Sequence, residues 1–142
     1  ALGGVIGLLH DTILTIGAFS IFYSIMPFTM EVDQTFIAAV LTVIGYSINS
    51  SVIIFDRIRE YRKLYPKRSL PENINQGINS TLGRTVNTSF TTFFTLLIIF
   101  IFGGAVLKGF MFAMMVGIFT GTYTSIFLAS TVVLEFGRKK LK

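Results

Sequence analysis

Cysteine is absent from the 142 residues, so the chain has no disulfide framework, no thiol nucleophile and no cysteine metal site. Charge is scarce as well. Asp, Glu, Lys and Arg make up 13% of the residues, while hydrophobic types make up 52%, a balance unlike that of a soluble domain. No Gly-rich phosphate loop, His-Glu-x-x-His pair or nucleophile with a neighbouring base occurs, and a hydrolase or synthase within a membrane needs at least one of these. The sequence therefore reads as a non-enzyme with no resident cofactor or metal.

What is present is long apolar stretches with the charges segregated between them. The stretches approach the ~20 residues that a spanning helix needs, and every backbone group in lipid must find an internal partner, which leaves helices or a closed barrel. Barrel strands are ~10-residue alternating segments, and these runs are longer and do not alternate. The expected fold is all-α: one polytopic membrane bundle of four transmembrane helices in a lipid bilayer. The expected spans cover about 3–26, 36–55, 86–103 and 110–134. Pro27 stops the first, and a short acidic turn with Glu31 and Asp33 follows it.

The formal charge of +5 would suggest nucleic acid in a soluble protein. Here its placement is a topology signal, and no nucleic acid partner is expected. A basic loop, about 56–85, carries Arg57, Arg59, Arg62, Lys63, Lys67 and Arg68, and the tail, 135–142, carries Arg138, Lys139, Lys140 and Lys142. The positive-inside rule puts this loop and both chain ends in the cytoplasm. The loop can anchor topology near anionic lipid or offer a docking surface to a partner protein. Pro66 and Pro71 are expected to break it, with a short interfacial helix from Glu72 to Gly83. The opening Ala1-Leu2-Gly3-Gly4 has no initiator Met or basic signal front, as expected of a piece cut from a longer membrane protein near the start of a span.

Polar residues recur within the spans. Asn49 lies roughly 9 Å inside the end of the second run and Asp11 roughly 12 Å into the first. Asp11 either reaches water at the interface or serves proton or Na⁺ movement, with His10, Arg84 or a bound cation as its partner. His10 alone reads as a solvated interface histidine. On the third span Asn87, Thr88, Thr91 and Thr95 follow Arg84 at helical spacing and share one face. Thr120 and Thr124 lie one turn apart on the fourth. The expectation is a common polar layer, facing the bundle interior, in the inner half of the membrane. Ala113, Gly117, Gly121, Ser125 and Ala129 recur every four residues, a small-residue stripe for close helix packing. Gly3–Gly7 is a weaker match. The phenylalanines and methionines of the last two spans read as lipid-facing or core bulk.

The most specific block is Gly45-Tyr46-Ser47-Ile48-Asn49-Ser50-Ser51, continuing to Phe55-Asp56-Arg57-Ile58-Arg59-Glu60. With Leu9-His10-Asp11, Arg84-Thr85-Val86-Asn87-Thr88-Ser89, Phe102-Gly103-Gly104 and Gly121-Thr122-Tyr123-Thr124-Ser125 in order, the chain resembles the C-terminal membrane region of the SecF family, or the SecF half of a fused SecDF. The resemblance implies half of a membrane domain like that of resistance-nodulation-division transporters, this chain supplying the third to sixth of six spans. It also implies a SecD partner, the SecYEG channel, exported unfolded polypeptide as cargo, and coupling to H⁺ or Na⁺ across the bacterial inner membrane. Asp11, Asn49, Ser50, Arg84, Asn87, Thr88 and Thr91 are the ion-pathway candidates; Gly45, Gly117, Gly121 and Ser125 are the packing candidates. The family pattern usually has Asp where this chain has Ser50. The SecD half then supplies the titrating carboxylate, or Na⁺ sits on oxygens such as those of Asn49 and Ser50, or this half is uncoupled and acts as a non-conducting scaffold. A related small-molecule efflux transporter is a further alternative.

Overall fold

The computed structural model describes residues 2–139, and all of its regular elements are helices. They are α1 (Leu2–Phe22), α2 (Gln34–Leu64), α3 (Leu70–Phe102), α4 (Ala105–Tyr123) and α5 (Ala129–Lys139), with a π-helical segment, Thr124–Leu128, joining α4 to α5 in one rod. Four helices, counting that rod as one, are long and apolar enough to cross a membrane.

Two of these helices overrun the expected spans. α2 continues past Phe55 to Leu64, and α3 begins at Leu70 rather than near Val86. The stretch 56–85 is therefore mostly helix, and only Tyr65–Ser69 turns. No separate Glu72–Gly83 helix forms, because that stretch is the first third of α3. Pro71 does not break anything: it sits in the first turn of α3, where a missing N–H costs no intrahelical bond. A capping box starts that turn, with Glu72 N–H donating to Ser69 Oγ and Ser69 N–H to Glu72 Oε2. Ile58 and Ile74, packed together with Ile54 and Ile126, provide the apolar contact that carries both helices beyond the bilayer. At about 1.5 Å per residue α2 and α3 are each roughly 45–50 Å long, well over the ~30 Å of hydrocarbon. At the other end α1 stops at Phe22, and the connection to α2 buries Met30 against α4.

Asp33 caps α2. Its carboxylate accepts from the Thr35 hydroxyl (2.6 Å) and the Phe36 N–H (3.0 Å), and these bonds, the Thr35 one foremost, hold its pKa below the usual carboxylate value.

The bundle is layered along its axis. Phe19, Phe36, Val43, Leu96, Met114 and Ile118 belong to a core near one end, and Ile54, Ile58, Ile74 and Ile126 form a smaller one near the other. Between them lie buried Asp11, Thr15, Ser47, Ser89, Thr124 and Ser125. Close backbone approach holds the layers together. A methyl group on Gly117 would overlap the Val43 side chain, and one on Gly77 would come within 3.0 Å of Ile58 Cα. Every member of the Ala113–Ala129 stripe is buried, which is how small residues let membrane helices pack.

Candidate functional site

α1 buries Gly3, Gly7, Asp11, Thr15 and Phe19, one residue per turn on a single face. Asp11 is therefore carried into the centre of the bundle, where its side chain is fully buried. Ser47 of α2 donates to Oδ2 at 2.5 Å, and Thr124 of the π segment donates to Oδ1 at 2.5 Å. His10 Nδ1 lies 3.3 Å from Oδ1 and 3.0 Å from Thr124 Oγ1. Gly121 packs beside the group, where a methyl would make ordinary contacts with Asp11 Oδ2 (3.6 Å) and Ser47 Cβ (3.5 Å). With its side chain fully buried, Asp11 does not reach water at the interface. The partner is His10, not Arg84, and His10 is only partly exposed rather than a freely solvated interface residue.

The π segment supplies part of this geometry. Ala129 N–H reaches back to Thr124 O, five residues earlier, which widens one turn. Thr124, Ser125 and Ile126 in it are all buried. Such π turns inside α-helices are frequent at functional sites. Thr120, one turn before, is half-buried and its hydroxyl bonds its own helix at Val116 and Gly117.

A second hydroxyl cluster joins α2, α3 and α4. Tyr46 Oη is 2.6 Å from Ser89 Oγ, which is 2.6 Å from Thr122 Oγ1. Thr81, Thr85 and Ser89 form the buried face of α3.

The expected inward face of α3 is therefore corrected. Arg84, Asn87, Thr88, Thr91 and Thr95 are exposed, and the three threonines donate to carbonyls of their own helix. Asn49 is exposed too, whereas Ser50 is buried. Asn49, Ser50, Arg84 and Thr88 do meet, with Tyr46, around a cavity of about 80 Å³ at the surface of the α2–α3 seam. Gly45 is corrected as well: a side chain there would touch nothing in this chain. Asp56, Arg57, Arg59 and Glu60 are exposed on the α2 extension, where Arg57 pairs with Glu60 at 2.6 Å. That pair, half exposed on both sides, contributes at most about 1 kcal/mol.

Ser47, Thr85, Ser89 and Thr122 stand in the sequence motifs without a role of their own there, and Thr15 lies outside them; the structure buries four of the five and half-buries Thr122. A usable signal existed in α1: Gly3, Gly7, Asp11 and Thr15 repeat at the same four-residue step as the Ala113–Ala129 stripe.

Residues 1–139 match the family model for the C-terminal part of the protein export membrane proteins SecD/SecF. The chain belongs to the SecD/SecF family. Its similarity to the protein translocase subunit SecF of Rhodothermus marinus is 53% identity over 135 residues, covering 95% of this chain and 44% of that protein. For SecF of Escherichia coli O157:H7 the figures are 43% over 142 residues, 99% and 42%. The chain thus spans less than half the length of these SecF relatives. Its fold is similar to SecDF in a super-membrane-facing form, with TM-score 0.87 and 40% identity over 98% of this chain and 18% of that one. It is also similar to the translocon-associated SecDF of Thermus thermophilus, with TM-score 0.85 and 39% identity over 96% and 18%. These relatives are membrane-embedded proteins of protein export, and this chain shares their helical membrane fold.

Proposed function

We propose that the chain is the membrane engine of a SecF-type subunit in the bacterial inner membrane. It uses the ion-motive force, together with a SecD half, to help move unfolded polypeptide through SecYEG. Its basic α2–α3 elbow and its C-terminal tail face the cytoplasm, as the positive-inside rule requires. The observation that carries this reading is the exposed polar face of α2 and α3. Arg84 lies roughly 27 Å of helix from Phe102, near the inner edge of a ~30 Å hydrocarbon layer; Asn87, Thr88, Thr91 and Thr95 lie deeper. Arg84 at that edge can reach the interface, but the exposed Asn87 amide lies deeper with no partner among the described residues, and an unpaired polar group in hydrocarbon is costly, so such a face calls for a covering protein surface. Gly45 leaves a gap on the same side, beside Asn49, that lets another helix approach closely. A pseudo-symmetric SecD half fits both features.

A second reading, a non-conducting scaffold for SecD and SecYEG, rests on Ser50. A hydroxyl cannot carry a proton as the Asp of the family pattern does, and two neutral side chains, Asn49 and Ser50, make a weak Na⁺ site. Ion flux through the complete SecD–SecF complex in proteoliposomes separates the two. The engine reading expects Arg84→Ala to lose most of the flux and export to decline in parallel. Flux and export that are indifferent to Arg84→Ala and Ser50→Asp favour the scaffold.

A further inference from the structure

All seven acidic residues of the chain lie among the described residues, and six are exposed. Asp11 is the exception, with a fully buried side chain. A buried carboxylate must be paired, hydrogen-bonded or protonated, and Asp11 has a specific set of neighbours for each state. Ser47 and Thr124 each aim a hydroxyl at one of its oxygens. Both hydroxyls can donate to the carboxyl group when it is ionised and accept from it when it is protonated, so the same contacts serve either state. Beside them His10 contacts both Thr124 and Asp11, while 32% of its side chain remains accessible.

We infer that Asp11 is the proton-binding site of this half, loaded and emptied through His10 and the Thr124 hydroxyl. The step is a balanced double transfer. Thr124 Oγ1 gives its proton to Asp11 Oδ1 and takes the Nδ1 proton of the His10 imidazolium in the same event. The carboxylate becomes a neutral acid, the imidazolium a neutral imidazole, and Thr124 is unchanged. Reversal re-forms the charged pair. The accessible part of the His10 ring faces out of this chain's bundle, where the partner half would supply the polar path to water, and Ser47 stabilises the charged carboxylate by donating to its other oxygen.

No other ionisable group of the described residues is within ion-pair distance of Asp11. Of the elements packed against α1, α2 carries Tyr46, whose hydroxyl is engaged with Ser89, and, nearer its end, Asp56, Arg57, Arg59, Glu60, Tyr61, Arg62 and Lys63. The α4–α5 rod carries Lys108, Tyr123, Glu135, Arg138 and Lys139, all away from the carboxylate. A change of Asp11 charge is thus felt first by the π segment through Thr124, in the widened turn of the rod.

This inference rests on the ion-coupled reading above, and its test does not depend on export. The intact protein with its SecD partner, in lipid nanodiscs, is taken through an acid jump. Proton uptake is followed with a pH dye and the carboxylic acid C=O stretch by infrared difference spectroscopy. The expected result is a C=O band in the wild type that is lost, with one proton of uptake, in Asp11→Asn. His10→Gln and Thr124→Val should keep the carboxyl group but slow uptake on the order of a hundredfold, the scale of a lost proton-transfer group. The last two variants keep the test open if Asp11→Asn does not fold. Bands and uptake unchanged in all three variants overturn the proposal. So does a band that responds to Na⁺ at constant pH. Normal proton binding with no effect of any variant on export leaves the site standing and overturns only its link to transport.

Discussion

Two hydroxyl-bearing faces lie within the same four helices and do opposite things. One, built from Asp11, Ser47 and Thr124, is turned inward, and its polar atoms bond across helices. The other, built from Thr88, Thr91 and Thr95 with Arg84 and Asn87, is turned outward, and its threonines bond only to the preceding turn of their own helix. A self-satisfied threonine can stand at a helix surface and wait for a partner, because its only donor is already used. A carboxylate cannot, since it has no donor of its own when ionised, and so the inward face had to be assembled from three elements. The interior cluster is therefore part of this chain's own fold, while the outer face is left for the covering surface proposed above.

The largest effect should come from glycines on the two sides. Gly117→Ala places a methyl into Val43, and overpacking of this kind costs about 1–3 kcal/mol. The denaturation midpoint in mixed detergent should fall clearly and recover in part with Val43→Ala. Gly45→Ala meets nothing in the chain and should leave that midpoint alone while weakening co-purification with the partner half. If Gly45→Ala destabilises as much as Gly117→Ala, the inside–outside distinction is wrong.

Hydroxyl removal should come next. Ser47→Ala strips Asp11 Oδ2 of its donor, a loss of roughly 1–3 kcal/mol for a buried group left unpaired. Thr91→Val removes an exposed hydroxyl and should stay within about 0.5 kcal/mol for the chain itself. Unfolding curves of the two variants side by side measure the contrast.

The smallest effect should be the pH response of the α2 cap. Asp33 titrates below its ordinary 3.8 in the folded chain. Its contribution is complete above that value and disappears as pH falls through the lower folded value. The protection factor of the Phe36 amide, its exchange rate relative to the free peptide at the same pH, should therefore fall only in acid, and Asp33→Ala should show low protection at every pH. Protection already lost near neutral pH would contradict the assignment.

Much of this was legible in the residues. Four spans followed from hydropathy, and the Ala113–Ala129 stripe marked a packing face that the structure buries in full. The α3 face was misjudged for a definable reason. Thr81, Thr85 and Ser89 form one small polar stripe, and Arg84, Thr88, Thr91 and Thr95 form another rotated by about one residue, or 100°. Both have helical spacing, so periodicity alone cannot choose between them. In the sequence the α2–α3 elbow has the pattern of a loop because its charges outweigh Ile58 and Ile74, which pack in one cluster only in the fold.

The linear sequence was sufficient for the number of spans, the all-helical class and the family, because hydropathy and motif order are properties of adjacent residues. Which polar side chains meet depends on helix rotation and on a single widened turn at Thr124. Those are set by how glycines and bulky neighbours on different helices fit together, and that fit exists only once the helices are packed.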